Sequence, residues 1–158
     1  MWSAGAAYNS RVRSSRERLI ETGFRILEHT ADAAIEATGK DLRQLFANAA
    51  RGMFQVITEL DSIGETLARD VSADAADREA LLVAWLNEFV YLFDVENILF
   101  RRFEIGELTE TMVKGRAFGE PIDHGRHDVK TAIKSTTYHG LSITGGGDGY
   151  RARVIFDV

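Results

Sequence analysis

The 158-residue sequence contains no cysteine, and that absence excludes several classes of protein. A chain without thiols has no disulfide scaffold, no thiolate zinc site and no cysteine nucleophile. Long apolar runs are also missing, since none approaches the roughly 20 residues that a membrane span requires. No signal-peptide hydrophobic segment follows the N-terminal arginines, so we expect a cytoplasmic protein that does not contact a membrane.

Acidic residues outnumber basic ones by 24 to 19, which gives a net charge of −5. Residues 1–23 carry a charge of +2 through four arginines, so the remaining 135 residues carry −7. An acidic body repels a phosphate backbone, which argues against a free-standing nucleic-acid binder. A basic macromolecular partner or a bound cation suits this charge better.

The composition, 45% hydrophobic and 27% charged, predicts one soluble globular domain. Residues 1–23 have little hydrophobic periodicity and are rich in Ala, Ser and Arg. They are predicted to form a flexible N-terminal extension, and a phosphate-binding arm is the alternative. The domain proper is assigned to residues 24–158.

Apolar residues recur at helical spacing in two segments, 41–57 and 77–94. Asp41 lies early in the first turn of one, and Asp74, Asp77 and Glu79 suit the N-terminus of the other through capping and the helix dipole. In the other ordered segments apolar and polar residues alternate, as they do in strands. These segments do not follow a repeating β-α-β order. The fold class is therefore predicted to be α+β. Strands 99–105 and 109–118 are predicted to form a hairpin that turns at Gly106 and Glu107. Further predicted strands are 34–38, 67–71, 133–137, 141–143 and 150–158.

Several catalytic signatures are missing from the chain. The glycine cluster at 145–149 has no following lysine or helix, so it predicts a hairpin turn rather than a phosphate-binding loop. His124 and His127 are three residues apart in a predicted loop, 119–129, that contains Pro121. That spacing is a weak signal for zinc, and we interpret both as surface loop histidines.

Two aspartates are candidates for a metal site. Asp32 ends the polar segment 28–32, whose side chains either shape a turn or contribute to a hard-cation site. Asp157 is either a solvated residue near the chain end or a second ligand. If the last strand runs beside the strand of Asp32, the two carboxylates converge, and the Val158 carbonyl adds a third oxygen.

A small basic strip is the third candidate feature. Lys130, Lys134 and Tyr138 share a parity along an extended chain, so they are predicted to line one face, with His139 beside them. The strip is either an ordinary solvated sheet face or a docking strip for a phosphate-bearing partner or a nucleotide. We take these four residues as candidate partner-binding residues.

Together these segments resemble the archease family, small protein cofactors of RtcB-type RNA ligases. The resemblance covers residues 24–158 in the family's order and spacing. The matching motifs are EHTAD at 28–32, LFANAARGMF at 45–54, LVAWLNE at 82–88, LFD at 92–94, KT at 130–131, KSTTYHGL at 134–141 and RARVIFDV at 151–158.

The resemblance implies a single α+β domain with two helices packed on largely antiparallel strands. It implies a non-catalytic activator that promotes ligase guanylylation and multiple turnover in tRNA splicing and RNA repair. RNA is then reached only through the ligase, and we favour a monomer. The family pattern assigns a divalent cation, usually Ca²⁺ and alternatively Mg²⁺, to Asp32, Asp157 and the backbone carbonyl of Val158.

Two other functions remain open from the sequence. One is a metal-dependent phosphoester hydrolase or nucleotidyl enzyme that uses the same carboxylates, although His29 is the only titrating candidate near them. The other is a general chaperone or adaptor, which needs no metal.

Overall fold

The protein is an α+β domain in the computed structural model, which describes residues 22–27 and 32–158. The predicted fold class is confirmed: two helices accompany seven strands in the described part. The elements are β1 Phe24–Leu27, β2 Ala33–Gly39, α1 Leu42–Ile57, β3 Leu67–Asp74, α2 Arg78–Glu96, β4 Ile98–Leu108, β5 Met112–Pro121, β6 Ser135–Gly146 and β7 Gly149–Asp157, with a 3₁₀ turn at Leu60–Ser62. Most of the predicted N-terminal extension lies outside the described residues.

Both helices begin at aspartates that are among the acidic residues predicted near their N-termini. The Asp41 carboxylate accepts a hydrogen bond from the Gln44 backbone N–H at 2.8 Å, and Asp77 accepts one from Ala80 at 2.8 Å. These bonds satisfy N–H groups that a helix leaves without internal partners. α2 ends at Asn97, whose φ of 57° is a left-handed cap conformation. Among the described residues, no helix is long and apolar enough to cross a membrane.

The strands form two antiparallel sheets that the helices join. One sheet has the order β1-β2-β7-β6 and the other β3-β5-β4. α1 packs against β1 and β2 of the first sheet and β4 of the second, while α2 packs against β6 and β3. Because each helix contacts both sheets, one core serves the whole described domain.

Aromatic rings fill the centre of this core. Trp85 and Phe89 of α2 meet edge to face with ring centroids 4.8 Å apart, and Phe54 of α1 stacks on Phe103 at 5.9 Å. Each such ring buries about 150–250 Å², which makes this group a main source of folding free energy. The broad apolar stripe of the second predicted helix is explained by this position, since α2 is buried on several sides.

The predicted turn between β4 and β5 is wrong. The chain turns at 109–111, where the Thr109 hydroxyl accepts hydrogen bonds from the backbone N–H groups of Thr111 and Met112. Gly106 lies inside β4, at a register shift between Ile105 and Glu107. Glycine there marks a β-bulge, which has the same local sequence signal as a turn.

Two other strand boundaries also differ from prediction. Of the predicted strand 133–137, only residues 135–137 are extended in a strand, and they belong with 141–143 to one strand, β6, whose pairing with β7 is interrupted between Thr137 and Ser142. Pro121 is the last residue of β5 rather than part of a loop. The predicted hairpin at 145–149 is confirmed, because Gly146 pairs with Gly149.

Candidate functional site

The antiparallel pairing of β2 and β7 brings Asp32 and Asp157 to the same end of the first sheet. The last paired residues of these strands are Ala33 and Phe156. Asp32 precedes Ala33 and Asp157 follows Phe156, so the two aspartates are the residues just beyond the last pair of the ladder. Directly opposed residues of antiparallel strands have Cβ atoms about 5 Å apart on one face. The last strand therefore runs beside the strand of Asp32, as convergence of the carboxylates requires.

A third segment holds the end of the chain at this corner. β6 pairs with β7 there, with Ser135 opposite Asp157, and the Lys134 backbone N–H donates to the Asp157 carbonyl oxygen at 2.8 Å. Val158 follows directly and is 36% exposed. We call the group formed by Asp32, Asp157 and Val158 the aspartate corner.

The donor set at the aspartate corner fits a hard divalent cation. The Asp157 carboxylate is exposed and has no hydrogen-bond or ion-pair partner among the described residues. Carboxylate and carbonyl oxygens are the ligands that Ca²⁺ and Mg²⁺ prefer. Over residues 22–27 and 32–158, no three His, Cys, Asp or Glu side chains gather into a metal site, so backbone oxygens and water would complete the coordination. Glu28 and His29 lie outside the described residues.

The structure separates Lys130 from the other candidate partner-binding residues. Residues 122–134 form no strand, so the parity argument that placed Lys130 on one face with Lys134 and Tyr138 is wrong for it. Its backbone N–H donates to the last residue of α1 at 2.7 Å, and its ammonium lies 2.9 Å from a Glu59 carboxylate oxygen. The hydrogen bond from Lys130 is the largest cause that lowers the pKa of Glu59.

Lys134, Tyr138 and His139 remain near or on β6. The Lys134 side chain is exposed beside the aspartate corner, and Tyr138 is 62% exposed. His139 is also exposed, and it lies in the stretch where the β6–β7 pairing is interrupted. Lys134 therefore presents a polar group just before the strand that adjoins Asp157, and Tyr138 and His139 present theirs on that strand.

A buried ionic cluster is the main feature that the sequence analysis missed. Glu120 is only 5% exposed, and its carboxylate lies 2.6 and 3.1 Å from two nitrogens of the Arg126 guanidinium. It also accepts from the Gly64 backbone N–H and lies 2.8 Å from His127 Nε2. The hydrogen bonds from Arg126, more than those from Gly64 and His127, lower the pKa of Glu120 to about 2. We call these residues the Glu120 cluster.

The role of His127 differs from the one predicted. It is 3% exposed, so its interpretation as a surface loop histidine is wrong. Nδ1 accepts a hydrogen bond from the Asp123 backbone N–H at 2.9 Å, so the ring proton is on Nε2, which donates to Glu120. Glu120 near the end of β5 and Arg126 and His127 in the following loop are close in the sequence, but nothing in that spacing marks them as buried.

The Glu120 cluster anchors the loop that leads to the aspartate corner. Loop 122–134 is held at its start by Arg126 and His127, and midway by the Thr58 hydroxyl, which donates to the Asp128 carbonyl oxygen at 2.7 Å. It ends at the backbone hydrogen bond to Asp157. The loop therefore connects the Glu120 cluster at its start to the end of β7.

Comparison with known proteins identifies the family. The model of the Archease protein family (MTH1598/TM1083) matches residues 24–158. The chain belongs to the archease family. Protein archease from Methanosarcina barkeri is 38% identical over 139 residues, which cover 85% of this chain and 95% of that protein. Protein archease from Sulfurisphaera tokodaii is 33% identical over 136 residues, which cover 85% and 98%.

Solved structures share the archease fold. The solution structure of protein 1598 from Methanobacterium thermoautotrophicum has a TM-score of 0.74 and 36% identity, and the match covers 87% of this chain and 99% of that one. The crystal structure of a Thermotoga maritima archease, described as a possible chaperone, has a TM-score of 0.55 and 25% identity over 85% and 96%. The two-helix α+β architecture is therefore that of the family.

Two residues of the archease LVAWLNE motif hold the fold together. The Trp85 indole N–H donates to the Phe46 carbonyl oxygen at 3.2 Å and so ties α2 to α1. Asn87 Oδ1 accepts from the Thr136 backbone N–H at 2.7 Å and so ties α2 to the start of β6. The second contact holds the start of β6, which pairs with β7 at the aspartate corner.

Proposed function

We propose that this archease is a non-catalytic activator of an RtcB-type RNA ligase, with Ca²⁺ bound at the aspartate corner. The ligase would undergo guanylylation and multiple turnover in tRNA splicing and RNA repair only when this protein is present. The observation that supports the proposal is the β2–β7 register, whose last pair, Ala33 and Phe156, adjoins Asp32 and Asp157 at the end of the domain.

The cation has a physical role in this arrangement. Two carboxylates on adjacent strands repel each other, and a divalent cation offsets that repulsion while binding both. The end of β7 is already fixed on its other side by the Lys134 hydrogen bond. A cation bound to Asp32 and Asp157 would fix the remaining side and give the chain end one shape.

The proposed partner is recognised through charge. A ligase site that holds RNA and GTP is basic, and it attracts the acidic body of this domain. Lys134 at the aspartate corner, and Tyr138 and His139 further along β6, would contribute hydrogen bonds at the same contact. Docking promotes guanylylation only to the extent that the protein binds the competent ligase conformation more tightly than the other.

The test measures RNA sealing by a purified RtcB-type ligase with substoichiometric amounts of this protein. We expect multiple turnover with Ca²⁺ and its loss with a chelator or with the Asp157→Asn variant. Asp74→Asn removes an exposed carboxylate on the other sheet and should activate like the unmodified protein. Equal activation by all three proteins, with and without the chelator, would refute the metal assignment. No activation of a confirmed active ligase would refute the partner.

A chaperone role is the second candidate, because the Thermotoga maritima relative is described as a possible chaperone. A chaperone would suppress the aggregation of unrelated denatured proteins, and a chelator would not change that suppression. Large exposed apolar side chains in the described part are few, the most exposed being Tyr138 at 62%. We therefore expect no suppression, and light scattering of a thermally denatured client protein measures it.

A further inference from the structure

One face of α2 is left uncovered by the rest of the described domain, and it carries apolar side chains. Tyr91 and Val95 are each 55% exposed, and they are two of the few large apolar side chains exposed among the described residues. Ala84, which is half-buried, and Glu88, which is exposed, lie on the same face, because residues three or four apart are neighbours on a helix surface. We call these four residues the α2 stripe.

The α2 stripe has the spacing of a seam between two helices. Its members are separated by four, three and four residues, which is the spacing at which one helix packs lengthwise on another. The eleven residue steps along it span about 16 Å, or three turns. Asn87 bonds to β6 on one side of the stripe, and Glu96 pairs with Arg69 of β3 at 2.8 Å on the other. The surface between these polar borders has room for a second helix.

The charge on and beside the α2 stripe is negative and unpaired. Glu88 lies within the stripe and Asp94 beside it, and neither carboxylate has an ion-pair or hydrogen-bond partner in the described part of the chain. The last turn of α2 contains no basic residue, although the helix dipole makes that end negative. A cation is stabilised at such a helix end, so the surface complements a partner that is both apolar and positively charged.

We propose that the α2 stripe is a docking surface for a basic amphipathic helix of a partner protein. The apolar side of that helix would pack on Tyr91 and Val95, and a lysine or arginine would pair with Glu88. A tyrosine suits this contact because its ring buries a large apolar area while its hydroxyl keeps a polar partner. A single charged residue in an otherwise apolar seam also selects between partners. The contact is small, so it belongs to the transient class of interfaces.

A second copy of this chain is a poorer occupant of the same surface. Two α2 stripes packed together would bring Glu88 and Asp94 of one copy against the acidic groups of the other. Like charges placed against each other in an interface cost several kcal/mol. The acidic border therefore favours a basic partner over self-association.

The test measures the binding of a labelled synthetic peptide to the full chain by fluorescence anisotropy, without ligase and with a chelator. The peptide is an amphipathic helix with leucine at the seam positions and lysine and glutamine elsewhere. A second peptide has glutamate in place of each lysine. We expect the basic peptide to bind and the acidic peptide not to bind.

The variant Glu88→Lys/Tyr91→Ser should lose at least about tenfold in affinity for the basic peptide. Its matched control is Ile26→Ser/Glu107→Lys, which also removes one exposed apolar side chain and reverses one exposed carboxylate, both away from α2. The control should stay within about twofold of the unmodified protein. Circular dichroism confirms that both variants fold.

A second measurement locates the contact on the unmodified protein. In ¹⁵N-labelled protein, the basic peptide should shift the backbone amide signals of residues 84–95 and leave those of β5 unchanged. Equal losses in the two variants, equal binding of the two peptides or no binding by the unmodified protein would overturn the proposal. A dimer of the unmodified protein that Tyr91→Ser dissociates would overturn it in favour of a second copy. Because neither ligase nor cation is present, a failure of the proposed function leaves this result unaffected.

Discussion

Replacing Glu120 with glutamine should destabilise the protein in a way that depends on pH. The carboxylate is buried and ionised, and the substitution keeps its shape while it removes its charge. The amide oxygen still accepts from Gly64 and His127, but the charge-assisted pair with Arg126 is lost. The loss should appear as a lower free energy of unfolding.

The shift in the pKa of Glu120 sets the magnitude of the expected loss in the free energy of unfolding. Lowering the pKa of Glu120 from 4.5 to about 2 corresponds to a ceiling of about 3 kcal/mol at neutral pH. The Arg126 side chain is 52% exposed, so water screens the pair, and we expect a loss of about 1–2 kcal/mol. Because the folded-state pKa is below the unfolded value, this contribution is complete above about pH 4.5 and disappears as the pH falls towards 2.

The assay is urea unfolding of the unmodified protein and of the Glu120→Gln variant, monitored by tryptophan fluorescence. The other carboxylates titrate in both proteins, so their effects cancel in the difference. That difference should shrink by roughly 40% at pH 3.5 and by roughly three quarters at pH 2.5. Asp70→Asn, which removes an exposed carboxylate paired with Arg116, should show no measurable difference at any pH. A Glu120→Gln difference that is absent at pH 7, or constant across this range, would refute the reasoning.

Three further predictions concern the aspartate corner, Lys134 and the turn between β6 and β7. Saturation with Ca²⁺ at about 100 times its Kd should stabilise the protein by about 2.7 kcal/mol, and Asp157→Asn should abolish that gain in a thermal-shift assay. Lys134→Glu should lower ligase activation and leave Tm unchanged; a lower Tm would show that the residue is structural. Gly149→Ala should cost about 1–3 kcal/mol in urea unfolding, because φ is +107° and a Cβ would lie 2.8 Å from the Gly39 oxygen. An unchanged midpoint would contradict that account.

Local patterns predicted those parts of the fold that depend on local interactions. Both helices occur where the apolar spacing placed them, and each begins at an aspartate whose side chain bonds to its own first turn. The position of Gly106 was misread because a bulge and a turn both favour glycine, and only the pairing partner distinguishes them. Thr109, which forms the real turn, has no comparably strong signal.

The Glu120 cluster could not be predicted from the sequence. Glu120, Arg126 and His127 look like ordinary polar residues of a strand end and a loop, and nothing in the sequence marks them as buried. Their burial depends on Gly64, which comes from a distant part of the chain and donates to the same carboxylate. Lys130 was misplaced for a related reason, because the parity argument assumed an extended backbone that loop 122–134 does not adopt.

The sequence by itself determined the α+β class, the two helices and the chemistry of the candidate ligands, because these follow from composition, periodicity and side-chain type. Only the tertiary structure decided that the strand ends next to Asp32 and Asp157 are neighbours, since β2 and β7 are remote in the chain and their register pairs Ala33 with Phe156. It alone also showed that Tyr91 and Val95 of α2 stay exposed in the described domain. The spacing of residues along the chain determines which side chains share one face of a helix or strand. Which elements lie next to each other depends on how the strands pair and how the helices and sheets pack.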